Sequence, residues 1–145
     1  MDKQKTDIDL LSPLILAYIG DAAYELWVRK YLVAQGLTKV NTLHHQAVKY
    51  VNAETQSRLV SKLEKILTQE EVAILKRGRN AKSGRQPKSM DMIAYRRATG
   101  LEALVGYLYL LGREERLCDI FTVLIQMVEE ENGISRPDND NHDTL

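Results

Sequence analysis

The chain has 145 residues, 44% of them hydrophobic and 28% charged, which is the balance of one globular domain with its own core. Its formal net charge is zero, so bulk charge selects no partner, and its single cysteine excludes an intramolecular disulfide. Asp21, Glu25 and Arg29 interrupt the best candidate for a membrane span, and "MDKQKTDIDLL" carries acids where a secretory leader has a basic and then an apolar block. A cytoplasmic protein with no membrane partner is the expectation.

Residues 1–11 read as an N-terminal segment outside the main pattern. Ser12 followed by Pro13 is an N-cap with a residue suited to the first helical turn, and Gly36 is a natural stop. Between them Ile15, Ile19, Ala22 and Leu26 recur at spacings of three and four, which predicts a helix with that stripe buried. A second helix is expected from about Asn41 to Val51, with Leu43, Ala47, Val48 and Val51 on its apolar face. Asn52 caps a third that runs to Leu67 and buries Leu59, Leu63 and Ile66. Thr68 and Glu71 have capping-box spacing and open a short fourth helix, "QEEVAILKR".

The next stretch, "KRGRNAKSGRQPKS" over 76–89, holds six basic residues and no acid, and its glycines and proline read as a loop. Ser89 or Asp91 then starts a long helix that ends at Gly112, and a last helix covers about Glu114 to Glu131, closed by Gly133. From Asn132 onward almost no core-forming residue remains, so 132–145 reads as a disordered polar tail. No alternating run is left over for a sheet. The fold class is therefore all-α, with six or so helices in one domain over 12–131.

Two acids stand out from this pattern. Asp21 follows Gly20 inside the apolar "LAYIGDAAYELW", with Glu25 one turn on and Arg29 beyond it. Glu102 sits in "TGLEALVGYLYL" between Gly100 and Gly106. A solvated face with a Glu25–Arg29 pair explains the first acid blandly. The alternative is that small residues beside each acid let the two helices cross at their glycines, so that Asp21 and Glu102 meet. Two carboxylates in a partly dry site repel unless a proton or a cation joins them, and Mg²⁺ suits such an oxygen-lined site facing phosphate.

The basic segment is either a solvated loop or a grip on a polyanion. Lys76, Arg77, Arg79, Lys82 and Arg85 have the chemistry of phosphate contacts, with Asn80 and Ser83 as neutral donors and Arg96 and Arg97 close behind in sequence. Other candidates are weaker. His44 and His45 are adjacent and point to different helix faces. Cys118 lies among Leu117, Ile120, Phe121 and Leu124 and reads as a small core residue, and Tyr18, Tyr24, Tyr107 and Tyr109 are spaced as packing residues.

These motifs resemble a known family. "YIGDAAYEL" is similar to the signature of ribonuclease III nuclease domains, and "LEALVGYLYL" to their second acidic motif. With "LHHQAVKYVNAETQS" and "LKRGRNAKSG" between them, and no trailing double-stranded-RNA-binding domain, the set resembles the Mini-ribonuclease III family from about Leu14 to Leu124. The resemblance implies an all-helical homodimer that uses magnesium to cut both strands of an RNA duplex, the stem of precursor large-subunit (23S) ribosomal RNA. It leaves 5′-phosphate and 3′-hydroxyl ends. Asp21 matches the signature aspartate and Glu102 the catalytic glutamate, both as metal ligands.

The full-length enzymes carry further carboxylates where this chain has Leu14, Ala17 and Thr99. Two acids per site leave more coordination places to water and phosphate. That loss is also what a different reading would use, a non-cleaving duplex-RNA-binding or ribosome-associated module on the same fold. A plain helical protein-interaction domain is the third alternative. Without a second RNA-binding domain, the nuclease domain itself must hold the duplex, by shape more than sequence.

Overall fold

The computed structural model describes residues 3–81 and 91–133. They form seven helices and, among the described residues, no strand: α1 (Lys3–Asp9), α2 (Pro13–Ala34), α3 (Val40–Val51), α4 (Ala53–Leu63), α5 (Gln69–Asn80), α6 (Met92–Leu110) and α7 (Glu114–Glu131). The all-α expectation holds, with one helix more than the periodicity marks. That helix is α1, whose only buried residue is Ile8, too little apolar pattern to announce a helix.

The termini follow from local chemistry. Ser12 Oγ accepts from the Leu14 amide at 3.2 Å, Asn52 Oδ1 from Thr55 at 2.8 Å and Asp91 Oδ1 from Ile93 at 2.9 Å. Thr68 and Glu71 close a reciprocal capping box on α5. Gly36, Gly112 and Gly133 follow helix ends with φ of 94°, 72° and 66°, the left-handed region that favours glycine.

The centre of the fold is α6. From Leu101 to Leu108 every residue but Glu102 is buried, as a helix apolar nearly all round must be. It packs against α2, α5, α4 and α7. Leu16, Leu59, Leu63, Leu101, Leu104, Leu108, Ile120 and Leu124 are fully enclosed around it, with Trp27 stacked on Phe121 at 4.2 Å.

Several faces differ from the sequence expectation. On α2 the buried row is Leu16, Ala17, Gly20, Tyr24, Val28 and Leu32, while Ile15 and Leu26 are 50% and 55% exposed, and Ala22 is exposed too. The helix has two apolar rows of the same period, and spacing cannot say which one meets the core. For the same reason Val48, Tyr18 and Tyr109 are exposed, while Tyr24 and Tyr107 are buried; Ile66 is exposed because it lies past the end of α4. The third predicted helix stops at Leu63, short of Leu67. Cys118 is exposed, because the core row of α7 runs through Leu117, Ile120, Phe121 and Leu124 and leaves it on the outer side.

Candidate active site

Two glycines decide where α2 and α6 cross. A Cβ on Gly20 would stand 1.7 Å from the Glu102 carbonyl oxygen, and one on Gly106 would stand 1.9 Å from that of Leu16. Any side chain at either position therefore strikes backbone, and the two helices run in van der Waals contact there. Asp21 comes directly after Gly20 and Glu102 one turn before Gly106, so the crossing brings both acids to one place. Their side chains lie within hydrogen-bonding reach of each other.

The two acids differ in setting. Asp21 is exposed and Glu102 is half-buried. Burial pushes the Glu102 carboxyl up to about 9, helped by its hydrogen bond to Asp21 and by the charge of that group. With its carboxyl raised this far, Glu102 holds its proton at neutral pH, within reach of the Asp21 side chain. The Tyr24 hydroxyl forms part of the surroundings. It donates to the Tyr50 carbonyl at 2.7 Å, and burial, then the nearby Glu102, hold it well above the usual phenol range. Glu25 takes no part in this pair, since its carboxylate meets Arg29 at 2.9 Å.

Two carboxyl groups this close can be joined by a proton or by a cation. Both donors are hard oxygens. Among the described residues no cluster of three or more His, Cys, Asp or Glu side chains is placed to hold a metal. One or two carboxylates with the remaining places left to water and phosphate is the donor set of magnesium, which fits what is present. His44 and His45 are both exposed on α3.

The basic segment does not begin as a loop. Lys76, Arg77, Arg79 and Asn80 lie on α5, which continues to Asn80, while Lys82, Ser83, Arg85 and Lys88 lie outside the described residues. The glycine taken as a loop signal is a packing glycine. A Cβ on Gly78 would stand 2.8 Å from the Gly100 Cα, and one on Gly100 2.6 Å from the Leu75 carbonyl oxygen. Thus α6 is held by two glycine crossings, one on α2 and one on α5. The second fixes the basic end of α5 beside the helix that carries Glu102. Sequence reasoning missed this pair, although Gly78 and Gly100 were its signal. Arg77 is also partly committed, donating to the Leu11 carbonyl at 3.3 Å.

Known proteins with similar sequences identify the family. The Ribonuclease III domain family matches residues 14–113, most of the chain. The chain belongs to the ribonuclease III family. It is 51% identical over 120 residues to Mini-ribonuclease 3 of Thermoanaerobacter sp. (strain X514), covering 83% of this chain and 84% of that one. With Mini-ribonuclease 3 of Brevibacillus brevis (strain 47) it shares 48% identity over 126 residues, 87% and 94% of the two chains. A crystal structure of a protein from Fusobacterium nucleatum superposes with a TM-score of 0.74 at 38% identity, covering 83% and 96%. The Mini-ribonuclease III resemblance read from the motifs thus holds, and the chain is an endoribonuclease of the family that acts on double-stranded RNA. No helix among the described residues is long and apolar enough to cross a membrane.

Proposed function

We propose that this endoribonuclease is magnesium-dependent and cuts the base-paired stem of precursor large-subunit (23S) ribosomal RNA in the cytoplasm, as a homodimer. The observation that carries the reading is the Asp21–Glu102 pair, two carboxyl groups that meet across a glycine crossing and are left to share a proton. Bound magnesium supplies Lewis-acid stabilisation of the scissile phosphate and a water nucleophile active at neutral pH. Asp21 and Glu102 would hold it, and Glu102 would have to release its proton to do so. The helical end with Lys76, Arg77, Arg79 and Asn80 meets RNA phosphates, and Lys82, Ser83 and Arg85 extend that grip. The products carry 5′-phosphate and 3′-hydroxyl ends.

The exposed row of α2 supports the dimer. Ile15, Tyr18 and Leu26 are 50%, 79% and 55% exposed, with Ala22 between them, an apolar stripe that a second copy of the chain would cover. Tyr18 lies three residues before Asp21, so dimerisation through this row would set each carboxylate pair beside the interface.

The test is incubation of the purified protein with a base-paired rRNA stem and with a single strand of the same sequence, across a range of Mg²⁺. Duplex-selective, Mg²⁺-dependent cutting at a fixed position is expected. Stable duplex binding with no cleavage at any Mg²⁺ concentration would overturn it in favour of a binding module.

A further inference from the structure

The arginines of this fold divide in an informative way. Eight lie among the described residues, and six of them are engaged there. Arg29 pairs with Glu25, Arg58 with Glu54 and Glu131, Arg113 with Glu70, and Arg116 with Glu71 and Asp119. Arg77 donates to the Leu11 carbonyl, and Arg97 to Ser57 and Ser61, with Glu64 at 3.8 Å. Arg79 and Arg96 are the two with neither a hydrogen bond nor an ion pair among the described residues.

These two share one location. The Arg79 amide nitrogen lies 3.2 Å from where a Cβ on Gly100 would stand, so Arg79 stands at the α5–α6 crossing. Arg96 is four residues before Gly100, on the same face of α6 and about 6 Å further along its axis. The helices are antiparallel here, since Glu70 meets Tyr107 at one end while Gly78 meets Gly100 at the other. The turn that carries Arg96 is therefore level with the end of α5, where the basic segment continues. Arg96 is exposed, and about 9 Å along the axis separates it from Glu102 on the same helix.

We propose that Arg96 is a further RNA-backbone contact, which with Arg79 forms a two-arginine phosphate grip across the α5–α6 crossing. A guanidinium with no partner among the described residues is available there for bidentate contact with phosphate. Its neighbour Arg97, one residue on, is spent on α4 and takes no part. Arg96 thereby places a phosphate contact on the same rigid helix as Glu102, so that gripping the strand also sets its position against the carboxylate pair. The inference rests on the duplex-RNA reading above.

The experiment measures Kd for a 5′-labelled RNA duplex in EDTA from about 50 to 200 mM salt, with single-turnover cleavage in Mg²⁺ and thermal melts as companions. Arg96→Ala should weaken binding about tenfold at the lower salt, reduce the log–log salt slope by about one unit and leave the melt unchanged. Arg96→Lys should keep most of the slope, and Arg97→Ala should leave the slope as it is. Unchanged affinity and slope in Arg96→Ala, with the parent protein binding and cutting normally, would overturn the proposal while leaving the nuclease reading intact. An equal loss of slope in Arg97→Ala would overturn it too, because the effect would then be bulk charge. Failure of the parent protein to bind duplex RNA would remove both.

Discussion

Gly20 and Gly106 meet backbone to backbone: a Cβ on Gly20 would stand 2.7 Å from the Gly106 amide nitrogen and 1.7 Å from the Glu102 carbonyl oxygen. The stability of the fold and the placement of the two acids thus depend on one contact. Gly20→Ala inserts a methyl into a space already filled by main chain, which no rotamer change relieves. A destabilisation of about 3 kcal/mol or more is expected in urea unfolding, with loss of cleavage beyond what the unfolded fraction explains. Gly36→Ala is a useful contrast, since a Cβ there meets nothing within 4 Å and only the positive φ is penalised.

A second structural prediction concerns Arg116 and Glu71. Arg116 reaches both carboxylate oxygens of Glu71 at 2.7 Å and also donates to the Ile66 carbonyl at 2.5 Å, while the Glu71 side chain is 3% exposed. Burial alone would raise the Glu71 carboxyl, but Arg116 and Thr68 outweigh it and hold the group low. Arg116→Ala leaves that carboxylate enclosed without its cation, and a loss of about 3–5 kcal/mol is expected by denaturant titration. Arg29→Ala, which removes an exposed pair, should cost under about 1 kcal/mol.

The raised Glu102 carboxyl gives a pH signature in metal-free protein. Its folded value of about 9 exceeds the ordinary 4.5, so the folded state holds one more proton between those limits. The stabilisation from this group is complete below about pH 4.5 and is lost progressively as pH rises toward about 9. Melting temperature in EDTA should fall with rising pH across that window, and Glu102→Gln should flatten the fall. Metal binding must displace the same proton, so the Mg²⁺ concentration for half-maximal cleavage should drop as pH rises from 7 toward 9. A metal requirement independent of pH would contradict the shared-proton description.

For the dimer, Leu26→Asp puts a charge at the C-terminal end of the exposed α2 row without touching the monomer core. Sedimentation equilibrium should report monomer for this variant and dimer for the parent, with circular dichroism unchanged. Dimer in both would move the interface elsewhere.

The sequence made the helix ends legible because caps are local. Ser12, Asn52, Thr68 with Glu71, Asp91 and the closing glycines each act through atoms within a few residues. The meeting of Asp21 with Glu102 was legible for a different reason, since a glycine beside an acid in an apolar helix has few explanations. What spacing could not settle was which of two equal apolar rows on α2 faces the core, because a helix period carries no label for inside. The spacing predicts Ile15, Ala22 and Leu26 inward, and they stand outward. Gly78 reads as loop punctuation in the sequence for a similar reason: its partner Gly100 is 22 residues away, and only packing shows that the two touch.

The central claim is that Asp21 and Glu102 together are the catalytic metal-holding pair. Its most direct test is single-turnover cleavage of a duplex RNA in Mg²⁺ by the parent protein, Asp21→Asn and Glu102→Gln, with Kd for the same RNA measured alongside. The account predicts that each variant cuts at least about a hundredfold more slowly while binding RNA within about threefold of the parent. Cleavage by either variant at the parent's rate would contradict it.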